Sequence, residues 1–150
     1  MEKKPKVLFL CTGHPERSEM AEGFLRSLAG DRIEPVSAAV EPAPLNPLAI
    51  DAMNEVGIDI SDQQARDVPA ALKDHYAYVV GVGDRSRERC PVFPFAFRLV
   101  QWDLEDPTRT SGPREARLDV YRRVRDQIDG KVREFLRAVA ADNSKPVLVR

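Results

Sequence analysis

The chain has 150 residues, enough for one domain with a single sizeable hydrophobic core, and its formal net charge is −1. Charged residues make up 31% of the sequence with the two signs balanced, which argues against a nucleic-acid-binding surface or a polybasic membrane patch. No apolar stretch approaches the roughly 20 residues of a membrane span. The apolar run at 7–10 is too short for a secretory signal, so we expect a cytoplasmic protein.

Two cysteines and two histidines limit the redox and metal chemistry that the chain can support. Cys11 and Cys90 lie in a chain without an export signal, which favours a reducing compartment and thiol chemistry over a disulfide framework. His14 and His75 belong to no spaced ligand motif. We therefore predict no metal site and no tightly bound cofactor.

The stretch 6–24 predicts a buried strand, a short turn and a helix that begins near Ser18. Cys11 ends the strand and Arg17 follows six positions later, which gives the pattern C-x5-R. A turn of this kind closes into a ring of inward-pointing N–H groups next to a helix N-terminus, and such a ring binds a tetrahedral oxyanion. The predicted oxyanion loop comprises Thr12, Gly13, His14, Pro15, Glu16 and Arg17.

Each polar group of this stretch has an expected task. The guanidinium of Arg17 would grip the anion in a bidentate fork. The same positive field would lower the pKa of Cys11 well below that of an ordinary thiol and provide a nucleophilic thiolate. Ser18 would cap the helix and donate its hydroxyl to the sulfur. The alternative is a buried structural cysteine with an unrelated arginine nearby.

The rest of the chain alternates predicted strands with predicted helices. We expect further strands at 32–39, 76–82 and 97–102, and helices at 47–57, at 69–73 and from 113 onward. This alternation predicts a single-domain, three-layer α/β/α fold around a four-stranded parallel sheet. The domain would span 1–144, and 145–150 would be a tail that is either an added edge strand or disordered. Cys11, Gly83 and the loop after Trp102 would share the rim where the strands end.

With these residues laid out, the chain resembles the thioredoxin-coupled arsenate reductases, a branch of the low-molecular-weight protein tyrosine phosphatase family. The resemblance covers nearly the whole chain and implies the same four-stranded fold. The motifs that carry it are VLFLCTG at 7–13, RSEMAEG at 17–23, Ser37-Ala38, LNPLAIDAM at 45–53, GIDIS at 57–61, Cys90-Pro91, and Trp102 with Glu105-Asp106-Pro107.

The resemblance implies roles for individual residues. Cys11 would be the nucleophile, Arg17 the oxyanion clamp and Ser18 the group that stabilises the thiolate. Asp106 would be the general acid that protonates the leaving oxygen, held in its loop by Pro107. Outside the family context, Asp106-Pro107 is also a common way to begin a turn.

Family reductases use two further cysteines, and here only one is present. Cys90 matches the third cysteine of the family pattern, whereas Gly83 stands at the position of the second. The relay of the family therefore cannot run unchanged. Either Cys90 attacks the Cys11 adduct directly, or an external thiol resolves it, with thioredoxin, glutaredoxin, glutathione or mycothiol as the candidates. The alternative for Cys90 is a small apolar residue in a packed loop.

The oxyanion loop departs from the family, which usually has Asn-Ser-Cys or Asn-Ser-Ala where this chain has His14-Pro15-Glu16. Pro15 has no N–H and removes one donor from the ring. Glu16 adds a negative charge, and we expect its side chain to point away from the ring. His14 replaces an asparagine that steadies the loop in the family.

A second departure concerns the support behind the loop. Potassium-dependent members of the family carry an aspartate where this chain has Arg66. We expect the cationic side chain of Arg66 to replace the ion by pairing with Glu22 and Ser37. No potassium requirement is therefore predicted.

Three functions remain open from the sequence. The first is an arsenate reductase, and the second is a phosphatase acting on phosphotyrosine or small phosphomonoesters. The sequence Thr-Arg-Thr at 108–110 argues against the second, because phosphotyrosine phosphatases of this family usually have an aromatic pair there. The third is a non-catalytic oxyanion binder or redox sensor, suggested by the altered loop and the missing cysteine.

Overall fold

The computed structural model describes residues 4–11, 15–40, 43–71, 73–83 and 96–143. The strands in these ranges are β1 (Lys6–Cys11), β2 (Glu34–Ala39), β3 (Arg66–Asp67), β4 (Tyr76–Gly83) and β5 (Ala96–Asp103). The helices are α1 (Glu16–Ala29), α2 (Pro47–Asn54), α3 (Val68–Ala71) and α4 (Arg114–Asn143), with a 3₁₀ helix at Pro107–Arg109. The predicted tail at 145–150 and Cys90 lie outside the described residues.

The strands form one parallel sheet in the order β3-β2-β1-β4-β5. The predicted α/β fold is confirmed, but the predicted number of four strands is wrong. The additional strand, β3, has two exposed residues that pair with Ala38 and Ala39. A strand this short and exposed has no alternation of apolar residues, so the sequence pattern contains no sign of it.

The two faces of β1 belong to two separate parts of the core, because successive side chains of a strand point to opposite faces. Phe9 faces the larger part, which lies under α1, α2 and α4. Leu8 and Leu10 face the smaller part, which includes Ala71 of α3. Helices therefore cover both faces, as the three-layer prediction requires. The predicted apolar stripe of α4 is buried throughout: Tyr121, Val124, Ile128, Val132, Phe135 and Val139.

Two helix starts show how local chemistry sets the boundaries. Asn46 caps α2 as predicted, since its Oδ1 accepts a hydrogen bond of 2.9 Å from the N–H of Leu48. The prediction that Ser18 caps α1 is wrong, because this helix begins at Glu16. The residue before it, Pro15, has no capping side chain but a backbone φ of −80° that already suits a helix start.

Candidate active site

The candidate site lies where β1 ends and α1 begins. Cys11 is the last residue of β1, is fully buried, and pairs in register with Ala39 of β2 and Val82 of β4. Four residues, 12–15, then connect it to the N-terminus of α1. Thr12, Gly13 and His14 lie outside the described residues. The predicted positions of the thiol and of the helix N-terminus at one rim of the sheet are confirmed.

Arg17 carries a buried positive charge in the site, and only 1% of the residue is exposed. Its Nη1 donates a hydrogen bond of 2.9 Å to the carbonyl oxygen of Leu104, in the loop after β5. Its Nη2 lies 3.7 Å from Oδ2 of Asp106 in the same loop. A buried guanidinium requires such partners, because an unpaired charge in a protein interior is costly. Two residues selected from distant parts of the sequence therefore meet in space.

Asp106 is held in a defined orientation by its own loop. Its Oδ1 accepts hydrogen bonds from the backbone N–H of Thr108, at 3.0 Å, and from the Thr108 hydroxyl, at 2.7 Å. This makes Asp106 the N-cap of the 3₁₀ helix that begins at Pro107. The other carboxylate oxygen, Oδ2, is the one that faces Arg17. The turn-starting and catalytic interpretations of Asp106 are thus compatible.

Glu16 is buried at the first position of α1. Its Oε2 accepts a hydrogen bond of 3.1 Å from the backbone N–H of Asn46, the N-cap of α2. The positive end of the α2 dipole favours a carboxylate at this position. This bond anchors one oxygen of Glu16 on α2. The expectation that its side chain points away from the ring stays a prediction, because residues 12–14 of the ring lie outside the described residues.

The model of the "Low molecular weight phosphotyrosine protein phosphatase" family matches residues 6–145. The chain belongs to this family. An arsenate reductase of Shouchella clausii is 40% identical over 132 residues, which cover 88% of this chain and 95% of that protein.

Solved structures of the family agree with this assignment. An arsenate reductase in the phosphate-binding state superposes with a TM-score of 0.76 at 33% identity, over 89% of this chain and 98% of that one. A thioredoxin-dependent arsenate reductase of Corynebacterium glutamicum gives a TM-score of 0.71 at 26% identity, over 93% of this chain and 64% of that one.

A cluster of buried polar side chains lies between α1 and β2. Oγ of Ser37 lies 2.6 Å from Oε1 of Glu22 and 3.1 Å from Oε1 of Glu19. Gln63 donates through Nε2 to the backbone oxygen of Glu19, at 2.8 Å. Burial, together with the negative charge of Glu22, raises the pKa of Glu19 from 4.5 to about 7. The neutral form of Glu19 is thus favoured over the range in which an exposed glutamate is ionised.

The cation that pairs with Glu22 in this family member is Arg26, one helical turn further along α1 at 2.6 Å. The expected pairing of Arg66 with Glu22 and Ser37 is not what the structure shows. Arg66 forms its ion pair with Asp74, at 3.8 Å, and its side chain is 45% exposed. Arg26 reaches Glu22 more directly, because residues four apart on a helix are neighbours.

Several residues of the site were not singled out from the sequence. Glu19, Arg26 and Gln63 complete the polar cluster, and the spacing of Glu19, Glu22 and Arg26 along one helix face is the signal that could have found the first two. Ser18 donates its hydroxyl to the backbone oxygen of Pro15, at 3.0 Å, and its predicted action on the Cys11 sulfur stays a prediction. Within the described ranges, no group of three His, Cys, Asp or Glu side chains is placed to hold a metal ion.

No helix among the described residues combines the length and apolar character needed to cross a membrane.

Proposed function

We propose that this protein is a cytoplasmic, thiol-dependent arsenate reductase. The observation that carries the proposal is the pair formed by buried Arg17 and Asp106, 3.7 Å apart, at the rim where Cys11 ends β1. An anion clamp and a proton donor thus stand on the side of the sheet to which the thiol belongs. The similarity to arsenate reductases over most of the chain supports the same reaction.

The first step uses groups of this chain alone. The Cys11 thiolate attacks the arsenic of bound arsenate, and a sulfur–arsenic bond forms. Arg17 stabilises the negative charge on the remaining arsenate oxygens through its fork of N–H donors. One arsenate oxygen leaves as water after Asp106 supplies a proton to it. The product of this step is a Cys11 arsenate thioester.

The second step needs another thiol. Its thiolate attacks the Cys11 sulfur, the sulfur–arsenic bond breaks, and the arsenic keeps the electron pair and departs as arsenite. The new disulfide joins Cys11 to the attacking thiol, which is thereby oxidised together with Cys11. The position of the second family cysteine is Gly83, the last residue of β4, which has no thiol. The attacking group is therefore Cys90 or an external thiol.

Thioredoxin is one candidate for the final reductant, since a relative in Corynebacterium glutamicum is thioredoxin-dependent. Glutaredoxin, glutathione and mycothiol are the other candidates, because each supplies the thiol that a chain with a single additional cysteine lacks. A Cys90→Ser variant separates the two routes. Activity that persists with a small thiol would assign the attack to the external thiol, whereas its loss would assign it to Cys90.

A second function, phosphomonoester hydrolysis, is favoured by the family to which the chain belongs. It would use Cys11, Arg17 and Asp106 in the same first step, with phosphorus in place of arsenic. Water, activated by the Asp106 carboxylate, would then replace the second thiol. No residue besides these three would be needed, so Cys90 would be dispensable.

One parallel assay decides between these functions. Purified protein is given arsenate with thioredoxin, glutaredoxin, glutathione or mycothiol systems, and separately p-nitrophenyl phosphate. Arsenite formation that disappears in Cys11→Ser supports the reductase. Release of phosphate that is unchanged in Cys90→Ser supports the phosphatase. Failure of both activities, while orthophosphate still binds, would leave a non-catalytic oxyanion binder or redox sensor.

A further inference from the structure

Tyr121 of α4 carries a buried hydroxyl for which the proposed reaction has no use so far. Only 1% of the residue is exposed, and the hydroxyl makes no hydrogen bond to any residue within the described ranges. Buried polar groups in native proteins are paired in the great majority of cases. We therefore expect the Tyr121 hydroxyl to gain a hydrogen-bond partner in another state of the site.

The negative charges of two carboxylates, on different elements, act on this hydroxyl. Burial and the negative charges of Glu16, on α1, and Asp106, before the 3₁₀ helix, raise the pKa of Tyr121, whereas Arg117 on its own helix lowers it. The phenol is therefore neutral at physiological pH and can donate one hydrogen bond. Glu16 is already anchored by the backbone N–H of Asn46.

The contacts of Asp106 indicate which carboxylate oxygen could accept a hydrogen bond from Tyr121. Its Oδ1 is held by the backbone and hydroxyl of Thr108, while its Oδ2 faces Arg17 at 3.7 Å, beyond hydrogen-bond length. A bound oxyanion competes for the guanidinium of Arg17, because a tetrahedral anion can accept two parallel bonds from it. Oδ2 of Asp106 then loses part of its neighbouring positive charge.

We propose that Tyr121 is a positioning residue for Asp106, to which its hydroxyl donates a hydrogen bond when Arg17 turns to a bound oxyanion. The inference rests on the proposed function, in which Asp106 is the proton donor. The hydroxyl holds the carboxyl group toward the leaving oxygen. Arg17, Glu16 and Arg117 are the charged groups around this pair.

The substitution Tyr121→Phe tests the proposal with little risk to the fold, since it removes one oxygen atom and keeps the ring. A hydrogen bond to a carboxylate favours its charged form, so losing the bond moves titration to higher pH. With saturating orthophosphate, we expect the carbon-13 NMR titration midpoint of the Asp106 carboxyl to be about half to one pH unit higher in Tyr121→Phe than in the wild type. Without orthophosphate, we expect the difference between the two proteins to be less than half as large.

The matched control is Tyr76→Phe. The Tyr76 hydroxyl is also buried, but it donates a bond of 2.8 Å to the backbone oxygen of Ala71, near the start of β4 and away from the rim. This variant should lower the melting temperature and leave the Asp106 titration unchanged. Tyr121→Phe should shift the Asp106 titration and leave the melting temperature equal to or above that of the wild type.

The NMR measurement does not require turnover, so it separates this inference from the proposed function. If the wild type reduces arsenate, Tyr121→Phe should lower kcat about two- to tenfold with little change in KM. A shifted midpoint in a protein that forms no arsenite would keep the positioning role and reject the reductase. An unshifted midpoint with orthophosphate bound would overturn the positioning role. So would a large fall in the melting temperature of Tyr121→Phe, which would show the hydroxyl already bonded in the anion-free protein.

Discussion

Nη2 of Arg17 lies 3.7 Å from Oδ2 of Asp106. This ion pair links α1 to the loop that follows β5. The two side chains carry opposite charges and approach the rim from different elements. Binding of an oxyanion is expected to draw the guanidinium away from the carboxylate. In the proposed reaction, the pair would thereby couple substrate binding to proton donation.

Removing the carboxyl group of Asp106, the proposed proton donor, should slow the chemical step without weakening anion binding. We predict that Asp106→Asn lowers the single-turnover rate of Cys11 adduct formation by about 10²- to 10⁴-fold, the usual contribution of a general acid. Orthophosphate should bind as well or better, because a negative charge beside Arg17 is removed. Rapid-quench kinetics and calorimetry measure the two quantities. Glu105→Gln changes the adjacent exposed carboxylate, which pairs with Arg123, and should alter neither.

Replacing Arg17, the proposed anion clamp, should instead weaken the binding of the anion. Arg17→Lys keeps the positive charge but loses the planar fork and its bond to the Leu104 carbonyl oxygen. We predict that orthophosphate affinity falls about ten- to a hundredfold, the equivalent of one charge-assisted bond. Calorimetric titration provides the measurement. Arg66→Lys, at an exposed position, is the control and should bind orthophosphate as the wild type does. An unchanged affinity in Arg17→Lys would mean that positive charge, rather than fork geometry, governs binding.

The sequence predicted the parts of the site that depend on local pattern or on the family motif. Cys11 at a strand end and the cap formed by Asn46 follow from residue types at short spacing. The meeting of Arg17 with Asp106 followed from the family motif and from the topology rule that parallel strands end at one rim. The pairing of Glu22 with Arg26 instead of Arg66 could not be predicted. It depends on the three-dimensional positions of two long, flexible side chains relative to one buried carboxylate, which the sequence pattern does not contain.

The pairing of Glu22 leads to a prediction about potassium. Arg26 supplies a positive charge at 2.6 Å from this carboxylate, and Ser37 lies 2.6 Å from its other oxygen. A monovalent cation therefore gains little by binding there. We predict that melting temperature and turnover are the same in potassium and sodium chloride of equal ionic strength. Removing the competing cation with Arg26→Gln is the comparison, and a clear potassium effect in the unmodified protein would contradict this assignment.

The raised pKa of Glu19 makes stability depend on pH in a direction unusual for a carboxylate. The folded protein retains a proton on Glu19 that the unfolded chain releases above about pH 4.5, so the free energy of unfolding should fall as pH rises from 4.5 through 7. We predict that Glu19→Gln, which stays neutral, is close to the wild type at pH 5 and more stable by roughly 2 kcal/mol at pH 8.

Urea unfolding from pH 5 to pH 8 measures this difference. Glu134→Gln, at an exposed position of α4, is the control and should run parallel to the wild type at every pH. Parallel curves for Glu19→Gln as well would mean that Glu19 is ionised in the folded protein throughout this range.

Two glycines in helices should respond oppositely to the same substitution. A Cβ atom added to Gly23 of α1 would lie 2.7 Å from Cγ2 of Ile60, a fully buried side chain, whereas one added to Gly130 of α4 would meet no atom within 4 Å. We predict that Gly23→Ala lowers the free energy of unfolding by about 1–3 kcal/mol, because the packed core must shift. Gly130→Ala should raise it by about 0.5–1 kcal/mol, because alanine loses less backbone entropy in a helix. Urea unfolding of both variants under one condition compares them directly, and a stabilised Gly23→Ala would show that Ile60 yields without strain.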